Sequence, residues 1–322
     1  MRVNLIVEDF GAFKYLGCAT AAKNLYKSLS KIIDVNWNNK SSDFDIAHFH
    51  TFGPSSLNYL KRFEGKKILT AHSTPYLNKG NISFTSFINK LYKPIYNMFD
   101  HIIAVSNKCK NELVDIGIQK EISPIYNGID CKRFIPNKLK RQRFRNLLGI
   151  KTNDLVILTV AQRTPRKGIY DFLQLAQNLP YFKFIWIGGF PYSVLSKDYL
   201  KIRKAIERKT ENTFFPGFIK DIEEAYSAAD VFFMPSYAEG HSIVMLEALS
   251  MGLPIVARDI EEFREAFNNN LIYFNKVNEI NEYLFKESLL KKYKKKTRVV
   301  ANFDIKIIAQ HHLDLYEKLT SR

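Results

Sequence analysis

Short apolar runs alternate with longer amphipathic stretches along the whole chain. Apolar runs bounded by turn residues are typical of buried parallel strands, and the stretches between them have helical spacing. In the first half the predicted strands are 3–7, 46–50, 67–71, 102–105 and 124–126, with helices that include 20–32 and 108–114. In the second half they are 155–161, 184–187, 213–215, 231–234 and 255–257. Strands that alternate with helices predict a doubly wound parallel sheet, and the two series predict two such sheets.

A polar segment separates the two series of strands. Residues 132–150 contain Pro136 and the cations Lys138, Lys140, Arg141, Arg143 and Arg145. We read this segment as a domain junction and the approach to a second domain. The prediction is an N-terminal domain at residues 1–133 and a second domain at residues 134–303. The tail has apolar residues at near-helical spacing and predicts a last helix within residues 304–322.

Composition and charge narrow the class of protein. The chain has 322 residues, of which 46% are hydrophobic, and this is enough to bury two cores. Its three cysteines, Cys18, Cys109 and Cys131, lack metal-site spacing and fit a reducing, cytosolic compartment. The first residues read as a strand and not as a signal peptide, and no apolar run approaches the roughly 20 residues of a membrane span. The net charge of +16 is compatible with three kinds of anionic partner: nucleic acid, an anionic membrane or a phosphorylated substrate.

The stretch 235–257 carries the most specific chemistry. It reads as the end of a strand, a loop, a helix capped by Ser242 and ended at Gly252, and the next strand. A helix that begins at the carboxyl ends of parallel strands offers backbone N–H groups to a phosphate. Glu239 lies just before this helix and Glu247 within it. Two carboxylates beside an anion site can accept hydrogen bonds from the hydroxyl groups of a sugar and a ribose.

The spacing of Glu239 and Glu247 resembles the signature of retaining glycosyltransferases of family 4. Pro235-Ser236, Glu239-Gly240, Glu247-Ala248 and Gly252-Leu253-Pro254 stand in the same register as in that family. The resemblance implies the GT-B fold, in which two Rossmann-like domains face a cleft and the last helix returns to the first domain. It also implies a nucleotide-sugar donor. The chain departs from the family at His241-Ser242, where Phe-Gly is frequent.

The resemblance also implies roles for residues elsewhere in the chain. In the loop 161–168 Lys167 and Gly168 match the family's phosphate-binding Lys-Gly, while Gln162 occupies the usual arginine position and Arg163 is the nearest replacement. His72 matches the active-site histidine at a strand end, and Gly17 the glycine-rich turn near the donor. The implied catalytic residues are Glu239, Lys167, Arg163 and His72. The implied donor-binding residues are Gly17, Gly168, Gly188, Gly217, Gly240, His241, Ser242, Ile243, Val244 and Glu247.

No metal is expected in the reaction. Asp43-Phe44-Asp45 imitates the Asp-x-Asp metal motif of the other large glycosyltransferase fold, but it lies in a turn before a strand of the first domain. We interpret it as unrelated to catalysis. Protein cations would then balance the charge of the departing diphosphate, and the expected donor is UDP-glucose.

The sequence defines the acceptor of the transferred sugar less closely than the donor. Residues 81–99, with the flanking Lys79 and with Lys90 and Lys93 on the polar face, form an amphipathic stretch. Both a membrane-interface helix and a core-facing helix fit it. Its apolar face comprises Phe84, Phe87, Ile88, Leu91, Tyr92, Ile95 and Tyr96. The register at 258–265 looks most like the bacterial diacylglycerol glucosyltransferases, which implies a membrane-lipid acceptor and a cytoplasmic enzyme peripheral at the inner face of the membrane. The alternatives are a polysaccharide or protein-linked glycan acceptor, a sugar-binding module without catalysis, and, from charge alone, a nucleic-acid-binding protein.

Overall fold

The computed structural model describes residues 1–8, 17–78, 85–190 and 192–321. The side chains of Pro54, residues 85–87 and residues 295–296 are also outside the description. Phe84 and Lys79, which belong to the predicted amphipathic stretch, therefore lie outside the described residues.

The first domain is built on a six-stranded parallel sheet. Its strand order is β2-β1-β3-β4-β5-β6. The chain adds β2 on one side of β1 and the later strands on the other, which is the doubly wound arrangement expected from the sequence. The strands are β1 (Arg2–Ile6), β2 (Asp34–Trp37), β3 (Ile46–Phe49), β4 (Lys66–Ala71), β5 (His101–Ala104) and β6 (Glu121–Pro124). The helices are α1 (Gly17–Leu29), α2 (Pro54–Arg62), α3 (Pro75–Asn78), α4 (Thr85–Tyr96) and α5 (Asn107–Asp115).

The second domain repeats this architecture. Its sheet has the order β12-β11-β10-β7-β8-β9 and is again parallel. The strands are β7 (Val156–Val160), β8 (Lys183–Ile187), β9 (Thr213–Gly217), β10 (Val231–Met234), β11 (Ile255–Arg258) and β12 (Ile272–Phe274). The helices are α6 (Lys138–Leu147), α7 (Ile169–Asn178), α8 (Tyr199–Glu207), α9 (Ile222–Ala228), α10 (Ile243–Ser250), α11 (Glu261–Phe267) and α12 (Glu287–Lys294). The last helix, α13 (Ile305–Thr320), returns to the first domain.

Helices cover both faces of each sheet, so both faces are apolar. In β4, for example, Ile68 packs into the cluster on one face and Leu69 into the cluster on the other. This alternation follows from the pleat, which sends successive side chains to opposite faces. The pattern of apolar runs does not reveal β2 or β12. β2 reads Asp-Val-Asn-Trp and has no apolar run, and β12 (Ile-Tyr-Phe) has only three residues.

The chain crosses between the domains twice, and the two crossings lie side by side. The amide of Ile129 donates to the carbonyl of Phe303, and the amide of Ile305 donates to the carbonyl of Ile129, each at 2.9 Å. A Cβ on Gly128 would lie 2.7 Å from Ile305 Cδ1, so only glycine allows this approach. After the second crossing α13 packs on the first sheet, where Tyr316 joins the same cluster as Val3. The boundary at 133/134 stays a prediction.

α4 turns two of its aromatic side chains into the core. Tyr92 and Tyr96 are 3% and 1% exposed. The side-chain amide of Asn78 donates to the Tyr92 hydroxyl, and the Tyr96 hydroxyl donates to the carbonyl of Ser73, both at 3.0 Å. Leu91 on the same helix is 39% exposed. For Tyr92 and Tyr96 the core-facing interpretation therefore holds. Within the described residues, none of the helices is both long enough and apolar enough to cross a membrane.

The basic segment after the first crossing is structural. It forms α6, and Arg145 within it is 2% exposed. The Arg145 guanidinium donates to the carbonyls of Ala228, Lys151, Thr152 and Asp154 and pairs with Asp230 at 2.8 Å. One buried side chain thus ties α6 to the loop before β7 and to the end of α9.

We predict that Arg145→Met destabilises the protein strongly. The substitution removes one of the two arginines that pair with the partly buried Asp230, and it removes the donor that the Arg145 guanidinium provides to four carbonyls. Losing the hydrogen bonds of a buried charged group costs about 3 kcal/mol of unfolding free energy. Arg143→Met is the matched control, because the Arg143 side chain on the same helix is 77% exposed and lies 3.5 Å from Glu224. Urea unfolding of both variants measures the difference. Equal midpoints for the two variants would contradict the structural role of Arg145.

Candidate active site

The loop between β10 and α10 carries Glu239 and delivers a helix N-terminus to the cleft. β10 ends at Met234 and α10 begins at Ile243, with Ser242 as its N-cap residue. The Ser242 side chain makes no capping hydrogen bond. The first amides of a helix have no intrahelical acceptor, so they point outward as donors for an anion. The helix start and the glycine end predicted from sequence are confirmed, since Gly252 follows α10 with a φ of 71°.

Glu239 is buried in an ion-pair cluster. It is 6% exposed, the Lys167 ammonium donates to its Oε1 at 2.6 Å, and Arg166 Nη1 lies 3.8 Å from its Oε2. Burial raises the pKa of Glu239, but Lys167 and Arg166 outweigh this effect and hold the pKa below its usual value. Burial lowers the pKa of Lys167, and Glu239 opposes that fall. The cluster therefore holds an ionised carboxylate beside cations at the mouth of the second sheet.

The basic loop (residues 161–168) reaches Glu239 because it packs directly on the loop between β10 and α10 (residues 235–242), which we call the signature loop. Pro165–Lys167 forms a 3-10 turn that ends at Gly168, where φ is 76°. A Cβ on Gly168 would overlap the carbonyl oxygen of Pro235, so glycine is required both for the backbone conformation and for the close approach. The amide of Tyr237 donates to the carbonyl of Arg166 at 2.8 Å. These contacts fix Lys167 opposite Glu239.

Arg166 is a site residue that the sequence analysis missed. The resemblance implies Arg163 as the second cation of the loop, and the Arg163 guanidinium lies over the rings of Phe190 and Phe215 at 5.8 and 5.2 Å. Arg163 also donates to the carbonyl of Phe215 at 3.5 Å. Arg166 instead faces Glu239, and its position next to the matching Lys167 is the signal that could have found it. A role for Arg163 in donor binding stays a prediction.

Glu247 lies inside α10 and is also buried. It is 7% exposed, and the Tyr226 hydroxyl donates to its Oε2 at 2.6 Å. Burial raises the pKa of Glu247 to about 7, against the lowering effect of the Tyr226 hydrogen bond. Glu247 has no cation at ion-pair distance in the described structure, in contrast to Glu239. The two carboxyl groups of the signature are thus in different electrostatic environments.

His241 fastens the signature loop to the interdomain crossing. Its Nδ1 accepts from the amide of Asn127 at 3.2 Å, and its carbonyl accepts from the Asn127 side chain at 2.9 Å. The ring packs against Tyr126 and Phe303, each with a centroid distance of 5.1 Å. Burial lowers the pKa of His241 to about 3, so the ring is neutral. A donor contact at His241, Ser242, Ile243 and Val244 stays a prediction that rests on their backbone amides.

The predicted glycines occupy different surroundings. Gly188 has a φ of 119°, and a Cβ there would overlap the carbonyl oxygen of Ala161. The Gly188 amide donates to the carbonyl of Gly217 at 2.8 Å, which joins the ends of β8 and β9. A Cβ on Gly217 or on Gly17 would have no neighbour within 4 Å, so both are open to solvent or a ligand. Gly17 begins α1 and is exposed, and residues 9–16 before it lie outside the description.

The first domain meets the signature loop at the carboxyl ends of β4 and β5. A Cβ on Gly240 would lie 3.3 Å from the carbonyl oxygen of His72 and 3.1 Å from Val105 Cγ2. His72 follows β4 and Val105 follows β5. His72 is thus brought beside the residue that follows Glu239. Its role as an active-site histidine stays a prediction. Burial lowers the pKa of His72 to about 3.

A second contact across the cleft involves Glu265 of α11. Its Oε1 accepts from the amide of Asn107 at 2.7 Å, and its Oε2 accepts from the amide of Lys108 at 3.1 Å. The Tyr126 hydroxyl also donates to Oε1, at 2.7 Å. The carboxylate therefore caps the N-terminus of α5 from the other domain, where it interacts favourably with the helix dipole.

The Asp43-Phe44-Asp45 motif lies at the end of the first sheet opposite to this site. Asp43 pairs with the Arg2 guanidinium and Asp45 accepts from the Arg2 amide, both at the amino end of β1. Glu239 and His72 lie at the carboxyl ends of their sheets. Within the described ranges, no group of three His, Cys, Asp or Glu side chains is arranged to hold a metal ion.

Comparison with known proteins gives two family matches. Residues 140–302 match the model described as "Glycosyl transferases group 1", and residues 18–133 match "Glycosyltransferase Family 4". The chain is similar to the alpha-galactosylglucosyldiacylglycerol synthase of Streptococcus pneumoniae, with 30% identity over 85% of this chain and 77% of that protein. It is also similar to the processive diacylglycerol alpha-glucosyltransferase of Acholeplasma laidlawii, with 29% identity over 81% of this chain and 79% of that protein.

Solved structures share the fold at low sequence identity. The Anabaena protein Alr3699/HepE, solved in complex with UDP-glucose, has a TM-score of 0.83 at 18% identity and covers 99% of this chain and 100% of its own. Sucrose-phosphate synthase from Thermosynechococcus elongatus has a TM-score of 0.78 at 16% identity, with complete coverage of both chains. The expected architecture of two Rossmann-like domains is confirmed. The chain belongs to glycosyltransferase family 4 and is a retaining, nucleotide-sugar-dependent hexosyltransferase of the GT-B fold.

Proposed function

We propose that this enzyme transfers glucose from UDP-glucose to the hydroxyl group of a membrane lipid such as diacylglycerol. The observation that carries the proposal is the buried Glu239–Lys167 ion pair beside the start of α10 and next to His72 of the first domain. The names of the Streptococcus and Acholeplasma relatives support a diacylglycerol-based acceptor. The UDP-glucose complex of the Anabaena protein supports the donor.

The donor diphosphate would lie between the N-terminus of α10 and the basic loop. Backbone N–H groups at a helix start favour an anion, and Lys167 adds a full positive charge. Both are already in place before the donor arrives, because the Gly168–Pro235 contact fixes the loop. Preorganised charges of this kind stabilise a developing negative charge without reorganisation at the moment of reaction.

Glu239 would position the transferred sugar. Its two cations keep it ionised, so its oxygens can accept hydrogen bonds from sugar hydroxyl groups. No carboxylate needs to act as a nucleophile in the step that we propose. The bond from the anomeric carbon to the phosphate oxygen breaks, and the bond to the acceptor oxygen forms on the same face. The acceptor proton passes to the departing diphosphate, and Lys167 balances its charge.

Glu247 would bind the ribose of the donor. Tyr226 already occupies Oε2, which leaves Oε1 to accept a hydrogen bond from a ribose hydroxyl group. With a pKa of about 7 the carboxyl group is partly protonated near neutral pH. A ribose hydroxyl that donates to Glu247 favours the ionised form, so we infer that donor binding lowers the pKa of this group.

A polysaccharide or protein-linked glycan is the second candidate acceptor, since family 4 includes such enzymes and other curated relatives act in O-antigen synthesis by name. Purified enzyme with a panel of labelled nucleotide sugars and lipid extracts separates the two. We expect label from UDP-glucose in a lipid-soluble glycosyl diacylglycerol with an α-linkage, detected by thin-layer chromatography and NMR. Label only in water-soluble glycan would overturn the lipid acceptor, and no transfer from any nucleotide sugar would overturn the donor as well.

Substitutions in the ion-pair cluster test the site. We expect Glu239→Gln and Lys167→Met each to reduce kcat/KM by about two orders of magnitude, the scale of losing one electrostatic group. Glu261→Gln is the matched control, because its carboxylate is 64% exposed and pairs only with Lys108 in the salt bridges described. Steady-state kinetics and circular dichroism of all three variants give the comparison. Folded Glu239 and Lys167 variants with normal turnover would contradict the assignment.

Peripheral attachment to an anionic membrane is the remaining part of the proposal. The net charge is +16, and α4 carries the exposed cations Lys90 and Lys93 near the exposed Leu91. α4 also packs on the segment that follows His72, through Tyr96 and Ser73. A lipid surface at this helix would therefore lie beside the cleft, where an acceptor lipid must enter.

We predict that Lys90→Glu with Lys93→Glu weakens vesicle binding. Each cation near an anionic surface contributes about 1 kcal/mol, so the double reversal should reduce co-sedimentation with anionic vesicles by tenfold or more at low salt. Lys291→Glu with Lys292→Glu on α12 is the charge-matched control, with both lysines exposed. If the control loses binding equally, α4 is not the attachment site. Absence of binding by the native protein would remove the membrane from the proposal.

A further inference from the structure

Four histidines, of which His48, His50 and His312 are buried and His72 is half-buried, form a continuous row from the cleft to the last helix. The ring centroids of His72 and His50 are 5.3 Å apart, those of His50 and His48 are 4.3 Å apart, and those of His48 and His312 are 5.7 Å apart. The proposed reaction uses only His72. The others are not explained by packing alone, because burying the polar imidazole ring in an apolar core costs free energy unless hydrogen bonds compensate.

His50 and His72 are hydrogen-bonded to each other. His50 follows β3 and His72 follows the neighbouring strand β4, so the parallel pairing brings their rings together at the carboxyl edge of the sheet. His50 Nδ1 lies 3.0 Å from His72 Nε2. Burial lowers the pKa of His72 to about 3 and that of His50 well below its ordinary range, so both rings are neutral. One of the two facing nitrogens must then donate and the other accept.

The surroundings of His50 indicate which one donates. His50 is 4% exposed, and its Nε2 is buried with no hydrogen-bond partner among the described residues. Buried N–H groups without an acceptor are rarer than acceptors without a donor. An unprotonated Nε2 is therefore favoured, and the proton of the neutral His50 ring lies on Nδ1. That N–H donates to His72 Nε2, and the proton of His72 must lie on Nδ1.

We propose that His50 is a positioning residue that holds His72 as its Nδ1–H tautomer and leaves this N–H as the ring donor for the transferred sugar. The hydrogen bond at one ring nitrogen fixes both the orientation of a histidine and the nitrogen that carries its proton. His48 does not share this task, because its two nitrogens bond to Tyr316 and Thr70 at 2.6 and 2.7 Å. The catalytic consequence rests on the proposed function, whereas the tautomer does not.

The test compares three single variants with the native enzyme. His50→Asn retains an N–H donor near the position of Nδ1, while His50→Leu has no donor. His101→Leu is the matched control, because His101 is a buried histidine of the same sheet that bonds to Ser123 at 3.0 Å and not to His72. The measurements are the nitrogen chemical shifts of the His72 ring by NMR, UDP affinity by calorimetry, and kcat and KM for glucosyl transfer.

We expect protonated Nδ1 at His72 in the native enzyme and in His50→Asn, and a changed tautomer signal in His50→Leu. His50→Leu should lose kcat by roughly 10- to 100-fold, the scale of removing a residue that orients a metal-binding histidine. UDP affinity should be unchanged, and His50→Asn should restore most of kcat.

A native His72 protonated on Nε2, a normal kcat for folded His50→Leu, or an equal loss in His101→Leu would overturn the inference. If the native enzyme transfers no sugar, the proposed function fails. The NMR arm then still decides whether His50 sets the tautomer of His72.

Discussion

The buried charge of Glu239 is the constraint on which the site depends. A carboxylate that is 6% exposed stays ionised only beside cations, since desolvation alone favours its neutral form. Lys167 and Arg166 supply this compensation, and both come from a loop that follows a different strand of the sheet. The loop that carries both cations reaches Glu239 only because Gly168 lets the loop backbone touch Pro235. The ionised state of Glu239 therefore depends on the backbone conformation at Gly168.

The same loop also connects the second domain to the first. Gly240 touches the His72 carbonyl, His241 exchanges hydrogen bonds with Asn127 at the crossing, and Glu265 caps α5 from the other side. These contacts surround the cleft on which both sheets open. A movement that separates the domains must break them, so the position of His72 relative to Glu239 depends on the interdomain contacts. This coupling is how closure of a two-domain enzyme assembles its catalytic groups.

His241 illustrates how a departure from a family pattern is accommodated. The family frequently has Phe at this position, and here a neutral imidazole fills an aromatic pocket made with Tyr126 and Phe303. The ring keeps the packing of an aromatic residue and adds a hydrogen bond from Asn127. The substitution therefore retains the backbone of the loop, which is the part expected to meet the donor.

The sequence by itself determined the two parallel sheets and the boundaries of the signature unit within a residue or two, and it nominated Glu239, Lys167 and His72 as site residues. It could do so because buried strands require apolar runs and helix ends require particular residues. Only the tertiary structure decided that Arg166 rather than Arg163 faces Glu239, that Tyr92 and Tyr96 belong to the core, and that His50 bonds to His72. These facts depend on which side chains meet across elements that are distant in the chain. Neither spacing nor composition contains that information, because it arises from the packing of one strand end or loop against another.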